Sequence, residues 1–101
     1  RHAFLLESMA KMPLISCRPA QGAFYLFADI RALAAELARR GIVGQATDLH
    51  VAEWLLEHYG LGLVPGSAFE GPGFLRLSFA ASMATLQDAM RRLSLALEVL
   101  K

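Results

Sequence analysis

Long apolar runs, paired cysteines and clustered positive charge are all missing from this chain. No stretch reaches the roughly 18 consecutive apolar residues of a membrane-spanning helix, so the 55% apolar content does not belong to a membrane span. The single cysteine, Cys17, cannot close an internal disulfide. It fits a reducing compartment, and a cytoplasmic location is expected. Ten basic and nine acidic residues leave a net charge of +1. The basic pairs Arg39-Arg40 and Arg91-Arg92 stand apart on expected helices and make no nucleic-acid stripe. Neither nucleic acid nor membrane is an expected partner. The opening RHAFLLESMAKMP lacks the charged, apolar and cleavage-site order of a signal peptide and has no initiating Met. It reads as a cut into a longer chain.

Familiar catalytic arrangements are absent too. His50, Glu53 and Glu57 share a helical face, with His58 close by. No cysteine or third histidine completes the three protein ligands that zinc normally takes, so no metal is expected. PGSAFEG and GPG depart from both glycine-rich phosphate motifs. Ser67 and Ser78 have no histidine or acid spaced to activate them, and no catalytic residue is expected within the chain.

What is present is a single domain's worth of alternating elements, 101 residues in all. Phe4, Leu5, Met9 and Met12 predict a helix over 2–12, stopped by Pro13. LISC (14–17) and AFYLFAD (23–29) read as strands, joined by a turn at RPAQG. Asp29 is the expected cap of a helix through Arg40, with Gly41 beyond its end. Thr47 or Asp48 caps the next helix, whose expected inner face is Leu49, Ala52, Leu56 and Tyr59, with Gly60 as its stop. LGLV (61–64) and GFLRLSFA (73–80) are strands flanking the bent loop PGSAFEGPG. Ser82 caps a last helix with the stripe Leu86, Met90, Leu93, Leu97 and Leu100. Four strands and helices with one apolar face imply an α+β domain of two layers, a small, mostly antiparallel sheet covered by helices. Phe24, Tyr25 and Phe27 are expected in its core.

Arg76 is the residue that packing does not explain. In a strand, Leu75, Leu77 and Phe79 point one way and Phe74, Arg76 and Ser78 the other. A guanidinium keeps its charge and is rarely buried without an anion. Its planar fork matches a carboxylate through two parallel bonds, a geometry lysine does not reproduce. An ordinary edge-strand ion pair remains the alternative.

Two stretches carry a resemblance. LISCRPAQGAFYLFADI is similar to a P-x-G-A-F-Y strand motif. WLLEHYGLGLVPGSAFEGPGFLRLSFA is similar to an LL-x-x-x-G-V-x-V-x-P-G-x-x-F-G…R-x-S-F/Y-A stretch. With the closing helix and its Arg92-Leu93 pair, the whole chain resembles the C-terminal small domain of class I/II pyridoxal-phosphate-dependent aminotransferases. The resemblance implies that residues 1–101 are that domain, cut on its N-terminal side, with the large cofactor-binding domain outside the chain.

By the same resemblance, Arg76 binds the substrate α-carboxylate and Phe24 lies on the substrate side of the cleft. Pro65 and Gly66 shape the loop before the arginine, while Glu70 stands where glycine is usual. The implied cofactor is pyridoxal 5′-phosphate, bound by the parent through a large-domain lysine. Lys11 and Lys101, the two lysines here, match no such motif, so the chain alone is expected to be inactive. Amino-acid and 2-oxo-acid substrates, the large domain and a homodimer are the implied partners, with an aspartate or aromatic amino donor. The surface uncovered by the cut is expected to drive self-association or a swap of the first helix. Alternatives are the aminotransferase-like region of a transcription regulator and a non-catalytic amino-acid-binding module.

Overall fold

A computed structural model describes residues 1–18 and 24–101. Helix α1 (His2–Ala10) leads through the Pro13-Leu14 turn to strand β1 (Ser16–Arg18). Leu14 has φ +66°, which breaks the extended backbone and moves the strand two residues beyond its expected start. Strand β2 (Tyr25–Asp29) follows. The expected turn at RPAQG falls mostly on residues 19–23, outside those described.

Helix α2 (Arg31–Arg39) begins one residue later than predicted, with Ile30 at its N-cap position. Asp29 closes β2 instead, but still serves the helix start. Its Oδ1 accepts from the Arg31 amide at 3.0 Å, and its two oxygens take the Arg31 guanidinium at 3.0 and 2.7 Å. Gly41, at φ +74°, terminates the helix as expected.

Helix α3 (Asp48–Tyr59) is capped by Thr47, whose hydroxyl accepts from the His50 amide at 3.1 Å. Its buried face corrects the sequence expectation in part: Ala52 is buried and Tyr59 packs on the core as expected, but Leu49 and Leu56 do not turn inward. Val51, Ala52, Trp54 and Leu55 face inward, whereas Leu49 and Leu56 are 48% and 58% exposed. The apolar residues of this helix cover more than one face, and the periodicity alone misplaced the edge of the stripe at Leu49 and Leu56. Gly60 (φ +64°) reverses the backbone, the Leu61 amide bonds back to the Leu55 carbonyl, and Leu61 is buried. That turn consumes the front of the expected strand, leaving β3 as Val64–Pro65.

A 3₁₀ turn (Gly66–Phe69) and the loop to Gly73 precede β4 (Phe74–Ser78). Helix α4 (Met83–Leu97) then starts from Ser82, whose hydroxyl accepts from the Thr85 amide at 3.1 Å. Its Leu86, Met90, Leu93 and Leu97 are all buried, as the stripe required, while Leu100 falls in a 3₁₀ turn beyond the helix and is only partly buried.

The strands form one sheet in the order β1-β2-β4-β3, antiparallel at every pairing. Burial alternates along β2 and β4, so Leu26, Ala28, Leu75 and Leu77 face the helices. They join Leu5, Leu33, Leu37, Val51, Leu55 and Leu93 in one core. This is the expected two-layer α+β arrangement, with helices on one side of the sheet.

Candidate functional site

The outer face of the sheet carries Tyr25 and Phe27 on β2, and Phe74, Arg76 and Ser78 on β4. Antiparallel register sets Phe27 opposite Arg76 and Tyr25 opposite Ser78, so Tyr25 is a diagonal neighbour of the arginine. Tyr25 and Phe27 are 38% and 41% exposed, which corrects their expected place in the core. The alternation that sends Leu26 and Ala28 inward sends these rings outward. Applied to β2 as it was to β4, the period-two pattern would have found them.

Arg76 is half-buried in this aromatic setting. Its guanidinium carbon lies 4.3 Å from the Tyr25 ring centroid and 5.3 Å from that of Phe69, both within cation–π range. Phe69 packs edge-on against Phe27 at 5.4 Å. The Arg76 Nε is buried without a hydrogen-bond partner, and no carboxylate among the described residues pairs with the guanidinium. The edge-strand ion pair is therefore not what this arginine makes. A buried N–H left unmatched carries a desolvation cost.

A cleft of about 410 Å³ opens beside the arginine, between segment 60–64 and α4. Its lining includes Tyr25, Arg76 and Ser78, the charged Asp88 and Arg92, and the apolar Leu61, Leu86 and Met90. Arg92 braces one end by donating from Nη1 to the Tyr59 carbonyl at 2.9 Å and from Nε to Asp88 at 2.8 Å.

The loop before β4 is held by close backbone contacts. The Gly71 amide donates to the Gly66 carbonyl at 2.7 Å. A Cβ on Gly66 would collide with the Gly71 carbonyl and come within 2.8 Å of the Phe74 oxygen. Glu70, at the position where the resemblance implies glycine, has φ +63°. The position is left-handed, and a side chain there is strained.

From α3, Asp48 reaches across to the same loop. Its Oδ2 accepts from the Ser67 amide at 2.9 Å, and its Oδ1 from the Ser67 hydroxyl at 2.8 Å and the Gly73 amide at 3.0 Å. Burial pushes the Asp48 carboxyl up, but the Ser67 and Gly73 amides and the Ser67 hydroxyl outweigh it and hold it below its ordinary value. Sequence reasoning saw Asp48 only as a possible cap, because nothing local reveals a partner 19 residues away.

Other sequence candidates lie elsewhere. Phe24 is 66% exposed; its ring sits 6.1 Å from Phe79, which in turn stacks 5.2 Å from His2. It does not line the cleft at Arg76. The α3 histidines and glutamates form no metal-competent cluster among the described residues. Cys17 is half-buried, and burial pushes its thiol up, away from nucleophilic reactivity. No helix among the described residues is long and apolar enough to cross a membrane.

A half-buried guanidinium with no carboxylate partner among the described residues, on a strand behind a glycine-rich loop, marks the outer face of this α+β domain. Residues 1–93 match the family model described as aminotransferase class I and II, and the chain belongs to that family. It is 37% identical over 94 residues to the aspartate/prephenate aminotransferase of Nitrosomonas europaea, covering 93% of this chain and 24% of that protein. It is 41% identical over 93 residues to a probable aspartate/prephenate aminotransferase of Aquifex aeolicus, covering 92% and 22%. The crystal structure of an aspartate aminotransferase from Thermotoga maritima superposes with a TM-score of 0.76 at 37% identity, covering 96% of this chain and 22% of that one. An aromatic aminotransferase from Pyrococcus horikoshii gives 0.80 at 29% identity, covering 97% and 24%. The chain thus spans about a quarter or less of the length of these relatives.

Proposed function

We propose that this chain is the C-terminal small domain of a pyridoxal-phosphate-dependent aminotransferase that moves an amino group from an amino acid to a 2-oxo acid. Arg76 is its clamp for the substrate α-carboxylate. The observation that carries this reading is the guanidinium itself, set against Tyr25 and Phe69, with a buried, unmatched Nε and no carboxylate partner among the described residues. Charge-assisted hydrogen bonds contribute about 1.5–3 kcal/mol each, and two parallel ones give both affinity and orientation. Ser78 offers a further hydroxyl, whereas Phe24, outside the lining of this cleft, is kept as a substrate-side residue only by the resemblance.

Pyridoxal phosphate would supply the electron sink for chemistry at the α-carbon, but the residues of this chain do not compose a site for it. Lys11 and Lys101 line a separate depression with Met12, Leu97 and Leu100, and Lys101 pairs with Glu98 at 3.8 Å. Anchoring the cofactor is assigned to the large domain, so the 101 residues alone are inactive. The role of this chain is to bind and orient the acid group. The outer sheet face, with Tyr25, Phe27 and Val64 exposed, is the side we assign to the large domain of a cytoplasmic homodimer. Aspartate is the donor suggested by the names of the relatives.

In the full-length protein, Arg76→Lys should lower kcat/KM for L-aspartate by ~100-fold or more, since even one lost pair of charged bonds exceeds two decades. Unchanged kcat/KM would overturn the clamp. The isolated chain, treated with pyridoxal phosphate and borohydride, should give no stoichiometric adduct at a single lysine. Such an adduct at Lys11 or Lys101 would overturn the division of labour.

A further inference from the structure

Asp48 is the one charged side chain buried among the described residues, 2% exposed. A buried carboxylate persists where donors surround it. Here they come from the two ends of one segment: Ser67, inside the 3₁₀ turn that finishes at Phe69, and Gly73, the residue before β4. Gly73 also returns its carbonyl to the Ile30 amide at 3.0 Å, so the anchor extends to the start of α2.

Two features of this segment are ones an outside anchor would offset. Glu70 occupies a left-handed conformation that its side chain opposes. The 3₁₀ turn has no side-chain cap of its own. Arg76 poses a matching question: with Nε unpartnered, no hydrogen bond at that atom sets the plane of the guanidinium. The rings do so, Tyr25 from the neighbouring strand and Phe69 from the segment that Asp48 holds.

We propose that Asp48 is a positioning residue for carboxylate recognition: by pinning Ser67 and Gly73 it seats Phe69 against Arg76 and fixes the plane in which the guanidinium meets the acid. This rests on the Arg76 reading above. Asparagine cannot substitute. It offers one accepting oxygen for three converging donors, and its amide N–H₂ would face a backbone N–H.

The test uses the full-length protein and L-aspartate. Asp48→Asn and Phe69→Leu should each raise KM by ~10-fold, the size of a lost cation–π contact and its orientation, with kcat changed less than about 3-fold. Both should shift the Arg76 Nε–H resonance, because the ring current above it is displaced. Glu36→Gln, which breaks an exposed arginine cluster on α2, should lower Tm and leave KM and that resonance alone. If Asp48→Asn does not fold, Ser67→Ala and Phe69→Leu decide the matter; unchanged KM and resonance in both overturns the proposal. If Arg76→Lys raises KM while Asp48→Asn and Phe69→Leu do not, only the positioning role is overturned. If Arg76→Lys itself has no effect, the clamp reading fails first.

Discussion

The guanidinium carbon of Arg76 lies 4.3 Å from the centroid of the Tyr25 ring, across the β2–β4 pairing. The contact is diagonal, and antiparallel register makes it possible without distorting either strand. With Tyr25 and Phe69 against the guanidinium and Nε buried, the terminal N–H₂ groups are the part of Arg76 left to meet an acid. Replacing Tyr25 by leucine keeps bulk and removes the π face. In the full-length protein, Tyr25→Leu should raise KM for L-aspartate about 5- to 10-fold, in line with about 1 kcal/mol for such a contact. Tyr25→Trp should preserve or lower KM. Equal KM in all three proteins would show that the ring does not organise the arginine.

Glu70 identifies a position where the chain can be stabilised. At φ +63° an L-residue loses about 1–2 kcal/mol, of which glycine's extra backbone entropy returns a part. Glu70→Gly should therefore raise unfolding stability by about 0.5–1 kcal/mol, or a few degrees in Tm. Thermal unfolding monitored by circular dichroism checks this, and a lower Tm would contradict the strain argument.

Neighbouring leucines on α3 should respond in opposite ways. Leu55 is completely buried and Leu56 is 58% exposed. Leu55→Ala should cost about 2–5 kcal/mol through lost burial and the cavity left behind, whereas Leu56→Ala should stay within about 0.5 kcal/mol. Urea unfolding of the two variants gives the comparison. Similar losses would mean that the helix is rotated from the orientation described.

Acid should destabilise the fold, and salt should divide the effect in two. The Arg39 and Arg40 hydrogen bonds hold the Glu36 carboxyl at about 2 instead of 4.5. Arg92 and Arg91 lower Asp88, and Asp48 is lowered by its amide and hydroxyl donors despite burial. Each carboxyl takes up its proton more readily in the unfolded chain, so the stabilisation is complete above the unfolded values and is lost as pH falls toward the folded ones. Tm should be flat from about pH 7 to 5 and fall below about pH 4. The Glu36 and Asp88 contributions are solvent-exposed and should fade in 0.5 M salt, roughly, while that of Asp48 persists. A Tm that rises on acidification would reverse the sign of the argument.

Local rules account for much of this protein. Thr47 and Ser82 cap their helices because a hydroxyl placed before a helical run satisfies a free amide wherever it occurs. Gly41 and Gly60 end helices because a left-handed turn favours a residue without Cβ. The order of the elements, the stripe of α4 and the alternation that isolates Arg76 need only neighbours a few residues away. Even the choice of face on β2 was written in its period of two.

Tertiary structure alone decided the rest. Which side of α3 turns inward depended on the sheet it meets, since its apolar residues exceed one face. The strand order β1-β2-β4-β3 brought Tyr25 beside Arg76, and the path of the 66–73 loop brought Phe69. Asp48 looked like a helix-start residue, and became the anchor of a loop 19 residues away only when folding excluded water from it. A carboxylate's partners are chosen by what surrounds it after the chain has closed, and no spacing along the chain encodes that.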